Sequence, residues 1–161
     1  MNDGVYCINF YDILLKVEEK SGIILKITFV NHCTFQNNVE LNFSIKEYWK
    51  GSAGALKYQV SAFYSKFMPI FKEVQNIPYG KVSSYGGISS AVFGDKRYAR
   101  LVGTAMRNNP LPIIIPCHRV VRSNGEIGGF SGGIDNKIKM LKLEKVGLHN
   151  GYIGKKYFIN C

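Results

Sequence analysis

A single cysteine in this sequence stands beside residues that could make it reactive. Cys117 is followed directly by His118, a base, and by Arg119, a cation. A cysteine is a nucleophile only as its thiolate, so a base or a positive potential must lower the thiol pKa from about 8.5. Neighbouring side chains point in different directions, and a water would have to connect Cys117 to His118. From these residues alone, a reactive thiol and a buried structural cysteine are equally open interpretations.

The residue that could orient the imidazole lies on the last predicted helix. Apolar residues at helical spacing predict an amphipathic helix over residues 134–146, which Gly147 would close. Glu144 lies near the end of this helix, and its carboxylate is the candidate partner of His118.

Two short helices before the cysteine predict a helix-turn-helix. Ser83 or Ser84 can cap a helix over residues 85–92, and Asp95 can cap a second helix over residues 96–107. A tight glycine turn between the two helices fits that motif. An earlier helix, with a proline in its first turn, is predicted to end near residue 76.

The second of these helices combines cations with small side chains. Small side chains let a helix backbone approach a groove while arginines reach phosphates or bases. Close packing against a neighbouring helix would explain the small residues equally well. The cations are Lys96, Arg97, Arg100 and Arg107, and the small residues are Ala99, Gly103, Thr104 and Ala105.

The segments on either side of Cys117 are expected to be irregular. An apolar run over residues 111–115 indicates a buried strand or extended segment. After the cysteine, residues 123–126 predict a hairpin turn, and the glycines of residues 128–133 predict a loop. No role is assigned to the aromatic and basic tail over residues 149–161.

The first part of the chain predicts a small antiparallel sheet. Alternating apolar and β-branched residues indicate three strands, over residues 5–11, 13–18 and 23–30. Residues 41–49 fit either a short helix or another strand, and the pattern does not distinguish the two.

Charge divides the chain into two parts. Residues 1–62 hold six lysines against six acids, whereas residues 63–161 hold fifteen lysines and arginines against five acids. A positive excess confined to one part suggests a surface that meets a polyanion such as nucleic acid, although a lysine-rich proteome is the alternative. With the glycine-containing turn at residues 51–54, the charge break predicts an N-terminal domain over 1–60 and a second domain over 61–161.

The four cysteines predict a reducing environment. Cys7, Cys33, Cys117 and Cys161 are scattered and form no CxxC pair, so neither a disulfide framework nor a standard zinc module is expected. The acidic start lacks a basic leader, and no run is long enough to span a membrane. We therefore expect an intracellular protein, cytoplasmic or, in a eukaryote, nuclear.

Several short segments resemble one protein family. The sequence PCHRV at residues 116–120 is similar to the signature of the O6-alkylguanine-DNA alkyltransferases. Further matches occur in family order and at near-family spacing, whereas the first sixty residues carry none. These matches are IPYGKV at 77–82, SY at 84–85, ARLVG at 99–103, AMRNNP at 105–110, SGG at 131–133, and Glu144.

The resemblance implies an α/β (α+β) fold in two parts. A small N-terminal domain with an antiparallel, ribonuclease H-like sheet would precede a mostly helical, winged helix-turn-helix domain that enters the minor groove. The turn over residues 93–98 is one residue longer than in other members. Cys7, His32 and Cys33 do not reproduce the spacing of the family's zinc ligands, so we expect no metal and no cofactor.

The same resemblance implies the reaction. The protein would be a DNA repair enzyme, a suicide methyltransferase that moves an alkyl group from O6-alkylguanine, or O4-alkylthymine, to Cys117 once per molecule. His118 would take the thiol proton through a water, and Glu144 would hold the imidazole. Tyr85 would donate a proton or hydrogen bond to the leaving base, with a core tyrosine as the alternative.

The remaining site residues would bind a nucleotide that is flipped out of double-stranded DNA. Arg100 would fill the vacancy in the stack, and Asn109 would tie the helix-turn-helix to the cysteine segment. The residues that would contact DNA are Ala99, Gly103, Thr104 and Arg107. The pocket would be lined by Met106, Pro112 and Val120. The loop that covers the base would contain Phe130, Ser131 and Gly132. Some members have tyrosine at the position of Phe130.

Three other functions compete with this interpretation. The first is an alkyltransferase-like protein, which flips the lesion but lacks the cysteine. The second is a helix-turn-helix regulator in which Cys117 is inert. The third is a cysteine hydrolase with many turnovers. We expect a monomer that binds double-stranded DNA and no membrane.

Overall fold

The computed structural model describes residues 3–51 and 56–159. It is a mixed α/β structure with a small sheet and a helical part, and it divides into two compact units. The first unit comprises Met1–Ser65 together with Pro110–Ile114, and the second comprises Lys66–Asn109 and Ile115–Cys161. The division therefore falls five residues after the boundary expected from composition, and an apolar segment from the later part of the chain belongs to the first unit.

The first unit contains a four-stranded sheet in the order β3-β2-β1-β4. The strands are β1 Gly4–Phe10, β2 Ile13–Lys20, β3 Ile23–Phe29 and β4 Gln36–Asn37. The first three pair antiparallel, as predicted, and tight turns with positive φ join them. The short β4 adds a parallel edge beside β1, which the sequence pattern did not predict.

The segment whose pattern fitted either a helix or a strand is a helix, α1 Val39–Trp49. Its first turn is capped by Asn38, whose Oδ1 accepts the backbone N–H of Leu41 at 2.9 Å. Trp49 packs edge-on against Phe10 of β1, with ring centroids 5.0 Å apart. The helix thus covers the apolar face of the sheet.

Cys7 on β1 forms a disulfide with Cys33 in the segment before β4. The expectation that these cysteines stay unpaired is therefore wrong. Strand register brings residue 7 close to residue 37, a proximity that linear spacing does not reveal. Among the described residues, no cluster of histidine, cysteine and acidic side chains could hold a metal ion.

The second unit is mostly helical. Its α-helices are α2 Met68–Gln75, α3 Tyr85–Phe93, α4 Ala99–Arg107 and α5 Ile134–Leu143. Short 3-10 helices precede α2, over Ala62–Phe67, and α4, over Lys96–Tyr98. The predicted helices are present, but the one expected to begin at Lys96 takes one 3-10 turn before it becomes α-helical.

Caps predicted from sequence define the turn between α3 and α4. Ser84 Oγ accepts the N–H of Gly87 at 2.9 Å, and Asp95 Oδ1 accepts the N–H of Arg97 at 2.8 Å. Gly94 ends α3 with φ of 72°, a left-handed conformation in which glycine carries no Cβ penalty.

Two short parallel strands bring the cysteine segment beside α3. They are β5 Ser83–Ser84 and β6 Val120–Val121, and Ser83 pairs with Val120. A 3-10 helix, Cys117–Arg119, leads directly into β6.

The tail folds back on this unit as β7 Leu148–His149, β8 Tyr152–Ile153 and a final 3-10 helix, Lys155–Tyr157. Ile153 donates its N–H to Gly125 O at 2.8 Å, and Val82 donates to Tyr157 O at 2.9 Å. Leu148, Tyr157 and Phe158 pack against a buried apolar cluster formed by Val82, Val121, Leu141, Val146 and Ile153. In the part of the chain that the structure describes, no helix is both long and apolar enough to cross a membrane.

Candidate active site

Cys117 begins the 3-10 helix that precedes β6, and only 3% of its surface is exposed. Its N–H bonds to Ile115 O at 2.7 Å. Asn109 fixes the same segment, because its Nδ2 donates to Ile115 O at 2.8 Å. The side chain of Asn109 also interacts with the thiol, so it joins the end of α4 to the cysteine.

Although buried, Cys117 forms part of the wall of a cavity of about 750 Å³. Such a volume accommodates a small-molecule group of the size of a purine. The other walls come from α3, from one face of α4, and from the glycine-rich loop after β6. They are formed by Tyr85, Ala99, Arg100, Gly103, Thr104, Met106, Arg107, Arg122, Gly129, Phe130 and Ser131.

Behind Cys117, a buried network is centred on the carboxylate of Glu144. His118 Nε2 lies 2.8 Å from Glu144 Oε1, and both side chains are fully buried. Arg119 donates to the same carboxylate through Nε and Nη2, at 2.8 to 3.1 Å, and its Nη1 donates to Ile77 O. The N–H of Gly80 completes the set at 3.0 Å from Oε2. The carboxylate is thus satisfied from three directions, which a buried charge requires.

Burial dominates the protonation of Cys117 and His118. It raises the pKa of the Cys117 thiol, while Asn109 and the cation of Lys137 pull that pKa down. Burial also lowers the pKa of His118, against the opposing influence of Glu144. Burial alone would raise the pKa of Glu144, but hydrogen bonds from His118 and Arg119 outweigh it and lower this pKa. The resting site therefore holds a neutral thiol and a neutral imidazole beside a carboxylate.

Lys137 is a buried cation that the sequence interpretation did not include. Its Nζ donates to Val120 O and Ile127 O, both at 2.7 Å, and lies 5.8 Å from the ring centroid of Phe130. Burial lowers its pKa to about 8. Lys137 thereby ties β6 to the glycine-rich loop and supplies positive potential to the thiol of Cys117.

Tyr85, at the start of α3, lines the same cavity as Cys117. Burial raises the pKa of Tyr85, the proximity of Cys117 raises it further, and Arg122 lowers it. The phenol is therefore protonated at neutral pH and can act as a donor.

The structure brings most of the predicted site residues together, but not all of them. Val120 is buried in β6, and Gly132 is half-buried in the loop. Neither is among the described residues that line the cavity. Pro112 is buried and belongs to the first unit, so it is not part of the cavity wall in the second. His118, Glu144 and Asn109 are not among the residues that line the cavity; His118 contacts Glu144, and Asn109 binds Ile115, two residues before Cys117.

The contacts of Arg119 and Lys137 were not predicted from the sequence, for different reasons. Arg119 was counted as a cation beside the thiol, whereas its guanidinium binds Glu144. Lys137 lies on a helix whose other two lysines, Lys139 and Lys142, are exposed. Its one available signal was position: the apolar spacing of α5 puts residue 137 on the same face as Met140, Leu141 and Glu144.

Comparison with known proteins places this fold and site in one class. Residues 66–146 match the family model described as "6-O-methylguanine DNA methyltransferase, DNA binding domain". The methylated-DNA--protein-cysteine methyltransferase of Sulfolobus acidocaldarius is 34% identical over 152 residues, which cover 90% of this chain and 94% of that relative. The chain therefore belongs to the methylated-DNA--protein-cysteine methyltransferase family.

Two mycobacterial comparisons show where the likeness is concentrated. The protein of that name from Mycobacterium bovis is 45% identical over 76 residues, 47% of this chain and 46% of the relative. The match thus spans about half the length of that relative. The crystal structure of Mycobacterium tuberculosis OGT in complex with DNA is 26% identical, with a TM-score of 0.71 over 88% of this chain and 92% of that chain.

Proposed function

We propose that this protein repairs DNA by transferring an alkyl group from the O6 position of guanine, and from O4-alkylthymine, to Cys117. One observation carries the proposal: the buried sulfur forms part of the wall of a cavity that is bounded by a basic helix and a glycine-rich loop. A structural cysteine would be packed on all sides, whereas this one has room for a purine beside it.

DNA would bind to the exposed face of α4. Arg100, Thr104 and Arg107 lie one turn or two apart on this face, beside the small residues Ala99 and Gly103. In our proposal α3 and α4 act as a helix-turn-helix in the minor groove, the turn over residues 122–126 is its wing, and the first unit is ribonuclease H-like. Arg100 would enter the base stack where the damaged nucleotide has left it.

The proposed reaction is an in-line displacement at the alkyl carbon. The sulfur–carbon bond forms as the bond between carbon and O6 breaks, and the electron pair of that bond stays on guanine. His118 takes the thiol proton, through a water, and Glu144 stabilises the imidazolium through the 2.8 Å contact at Nε2. Tyr85 donates a hydrogen bond as negative charge develops on the base. The immediate products are a thioether, the guanine anion and the His118 imidazolium. When the imidazolium returns its proton through water and the guanine anion takes one up, the net products are a thioether and neutral guanine.

The reaction would end after one turnover because it converts the thiol of Cys117 into a thioether. No residue of the site activates water against a sulfur–carbon bond, among those that the structure describes, so Cys117 would be consumed. We further propose a monomer that needs no cofactor or metal, binds no membrane and acts where genomic DNA is, in the cytoplasm or in a eukaryotic nucleus.

The geometry favours this function over its competitors. An alkyltransferase-like protein would lack the cysteine, and this chain has Cys117 in the cavity. An inert cysteine in a DNA-binding regulator would not need a buried His118–Glu144 pair behind it. A hydrolase would need a site that regenerates the free thiol after each turnover.

Intact-protein mass spectrometry after incubation with O6-benzylguanine tests the proposal. We expect a mass increase of one benzyl group per molecule and no increase for Cys117→Ala. Cys7 and Cys33 serve as internal controls, because their disulfide leaves them no thiol. An unmodified wild-type protein, or repeated turnover of an acyl substrate without a stable adduct, would contradict the proposal.

A further inference from the structure

Arg122 is a cation that the proposed reaction does not use, and it lies on the rim of two cavities. One is the cavity that contains Cys117, and the other is a groove of about 1140 Å³. Both are lined by Tyr85, Ala99 and Arg122, which therefore form a ridge between them. A nucleotide whose base occupied the first cavity could place its backbone along this ridge.

The backbone holds Arg122 beside Tyr85. These two residues directly follow the paired strands β6 and β5, which are parallel, so both leave the same end of the pair. Gly128 lies between them: a Cβ built on this glycine would be 3.5 Å from the Tyr85 hydroxyl and 3.6 Å from Arg122 Cγ. Both side chains therefore lie within van der Waals contact of this position, and the φ of 73° at Gly128 favours glycine there.

The groove has the chemistry of a phosphate track. Lys96 from the turn before α4 and Arg122 are its two cations, and none of the described residues that line it is acidic. Hydroxyl and amide groups of Ser84, Ser123 and Asn124 add hydrogen-bonding capacity.

An ion pair holds Arg122 at present. Its Nη1 lies 2.6 Å from Glu126 Oε2, and the arginine side chain is 62% exposed. Tyr152 from the tail donates its hydroxyl to the other carboxylate oxygen at 3.3 Å. Exposed ion pairs contribute little to stability, so a phosphate can replace the carboxylate at small cost. A phosphodiester also offers two oxygens to the planar guanidinium.

We propose that Arg122 binds a phosphate of the flipped nucleotide on this ridge, releasing Glu126 when DNA binds. The inference rests on the proposed function, because it requires an extruded base in the cavity of Cys117. It assigns to Arg122 a substrate contact that is separate from the insertion of Arg100.

A thermodynamic cycle between protein and DNA tests this contact. The affinity of the Cys117→Ala protein, which cannot react, is measured with and without Arg122→Ala on duplexes that contain O6-methylguanine. Each of the two phosphates that flank the lesion is replaced in turn by a neutral methylphosphonate. We expect one of these replacements to weaken binding by about tenfold with Arg122 and by less than about twofold without it. The slope of log affinity against log salt should fall by about one for Arg122→Ala.

Two variants make the cycle specific. Arg97→Ala removes an exposed arginine that also pairs with an acid, Asp95, at 2.6 Å but lines neither cavity, so it should retain the full methylphosphonate effect. Glu126→Gln frees Arg122 and should bind as tightly as the parent or tighter. The inference would be overturned if each methylphosphonate replacement weakened DNA binding equally with Arg122 and with Arg122→Ala. A loss in Glu126→Gln that equals the loss in Arg122→Ala would also overturn it, since the ion pair would then matter only for structure.

The reaction with free O6-benzylguanine separates this inference from the function on which it rests. That substrate has no phosphate, so an adduct on Cys117 supports alkyl transfer whatever the cycle shows. Absence of the adduct would overturn the proposed function. If the adduct forms but the methylphosphonate effect is the same with and without Arg122, only the role of Arg122 is overturned.

Discussion

The two units of this protein differ in almost every property that bears on function. The first carries no net charge, has its two described cysteines joined as Cys7–Cys33, and shares only Pro110–Ile114 with the family match. The second carries the whole excess of ten positive charges, a free and buried Cys117, and the rest of the matched residues 66–146. Chemistry and DNA binding are therefore expected to depend on the second unit, and the first is expected to contribute mainly stability.

The strongest test of this contrast replaces one histidine in each unit by glutamine. In His118→Gln the amide can still donate to Glu144 but cannot accept the thiol proton, so adduct formation should slow by about a hundredfold or more. His32→Gln, in an exposed position of the first unit, should react at the wild-type rate. Quenched-flow mass spectrometry measures both, and equal rates in the two variants would remove the contrast.

A second test compares cations. Arg100→Ala should weaken repair of duplex DNA by about tenfold to a hundredfold more than it slows reaction with the free base, because only duplex DNA needs the vacancy filled. Lys57→Ala removes the same charge from the exposed surface of the first unit and should affect neither substrate. Equal losses of Arg100→Ala on both substrates would exclude the insertion role.

A third test concerns the buried cation. Lys137→Met keeps the side-chain volume but removes the positive potential at Cys117, so the thiol pKa should rise further. In the wild type this support disappears as the pH rises through the Lys137 pKa of about 8. The pH dependence of iodoacetamide labelling reports the thiol, with the exposed Lys139→Met as control. An unchanged titration in Lys137→Met would show that the lysine only ties the loop.

The smallest effect on repair is expected from the disulfide. Replacing Cys7 and Cys33 by serine removes a cross-link over 26 residues, which should lower the free energy of unfolding by about 3 kcal/mol. Adduct formation on Cys117 should stay within about twofold of wild type while both units are folded. Thermal unfolding and the mass assay distinguish the two effects, and a large loss of reactivity at low temperature would show that the first unit also serves the chemistry.

Local sequence signals predicted the elements that position the site. Ser84 and Asp95 cap the helices as expected, since capping depends on residues three positions apart or fewer. The antiparallel strands and the amphipathic α5 also followed from periodicity. The family signature then connected Cys117, His118 and Glu144, a contact across 26 residues that periodicity alone could not provide.

Interactions that depend on three-dimensional register were not predictable in this way. The Cys7–Cys33 bond follows from the parallel pairing of β1 and β4, and β4 is only two residues long. The carbonyl groups that bind Lys137 belong to a loop and a strand end whose conformation no pattern specifies. Val120 and Pro112 were assigned to the pocket by resemblance, and neither is among the residues that line the cavity.

The Cys7–Cys33 bond has a practical consequence for anyone who purifies this protein. Its activity would need the sulfur of Cys117 to stay reduced, whereas its full stability would need the Cys7–Cys33 pair to stay oxidised. A strong thiol reagent protects the nucleophile from sulfenic acid formation but can open the cross-link by exchange. Phosphine reductants cleave disulfides as well, so storage under argon without any reductant is the suitable condition.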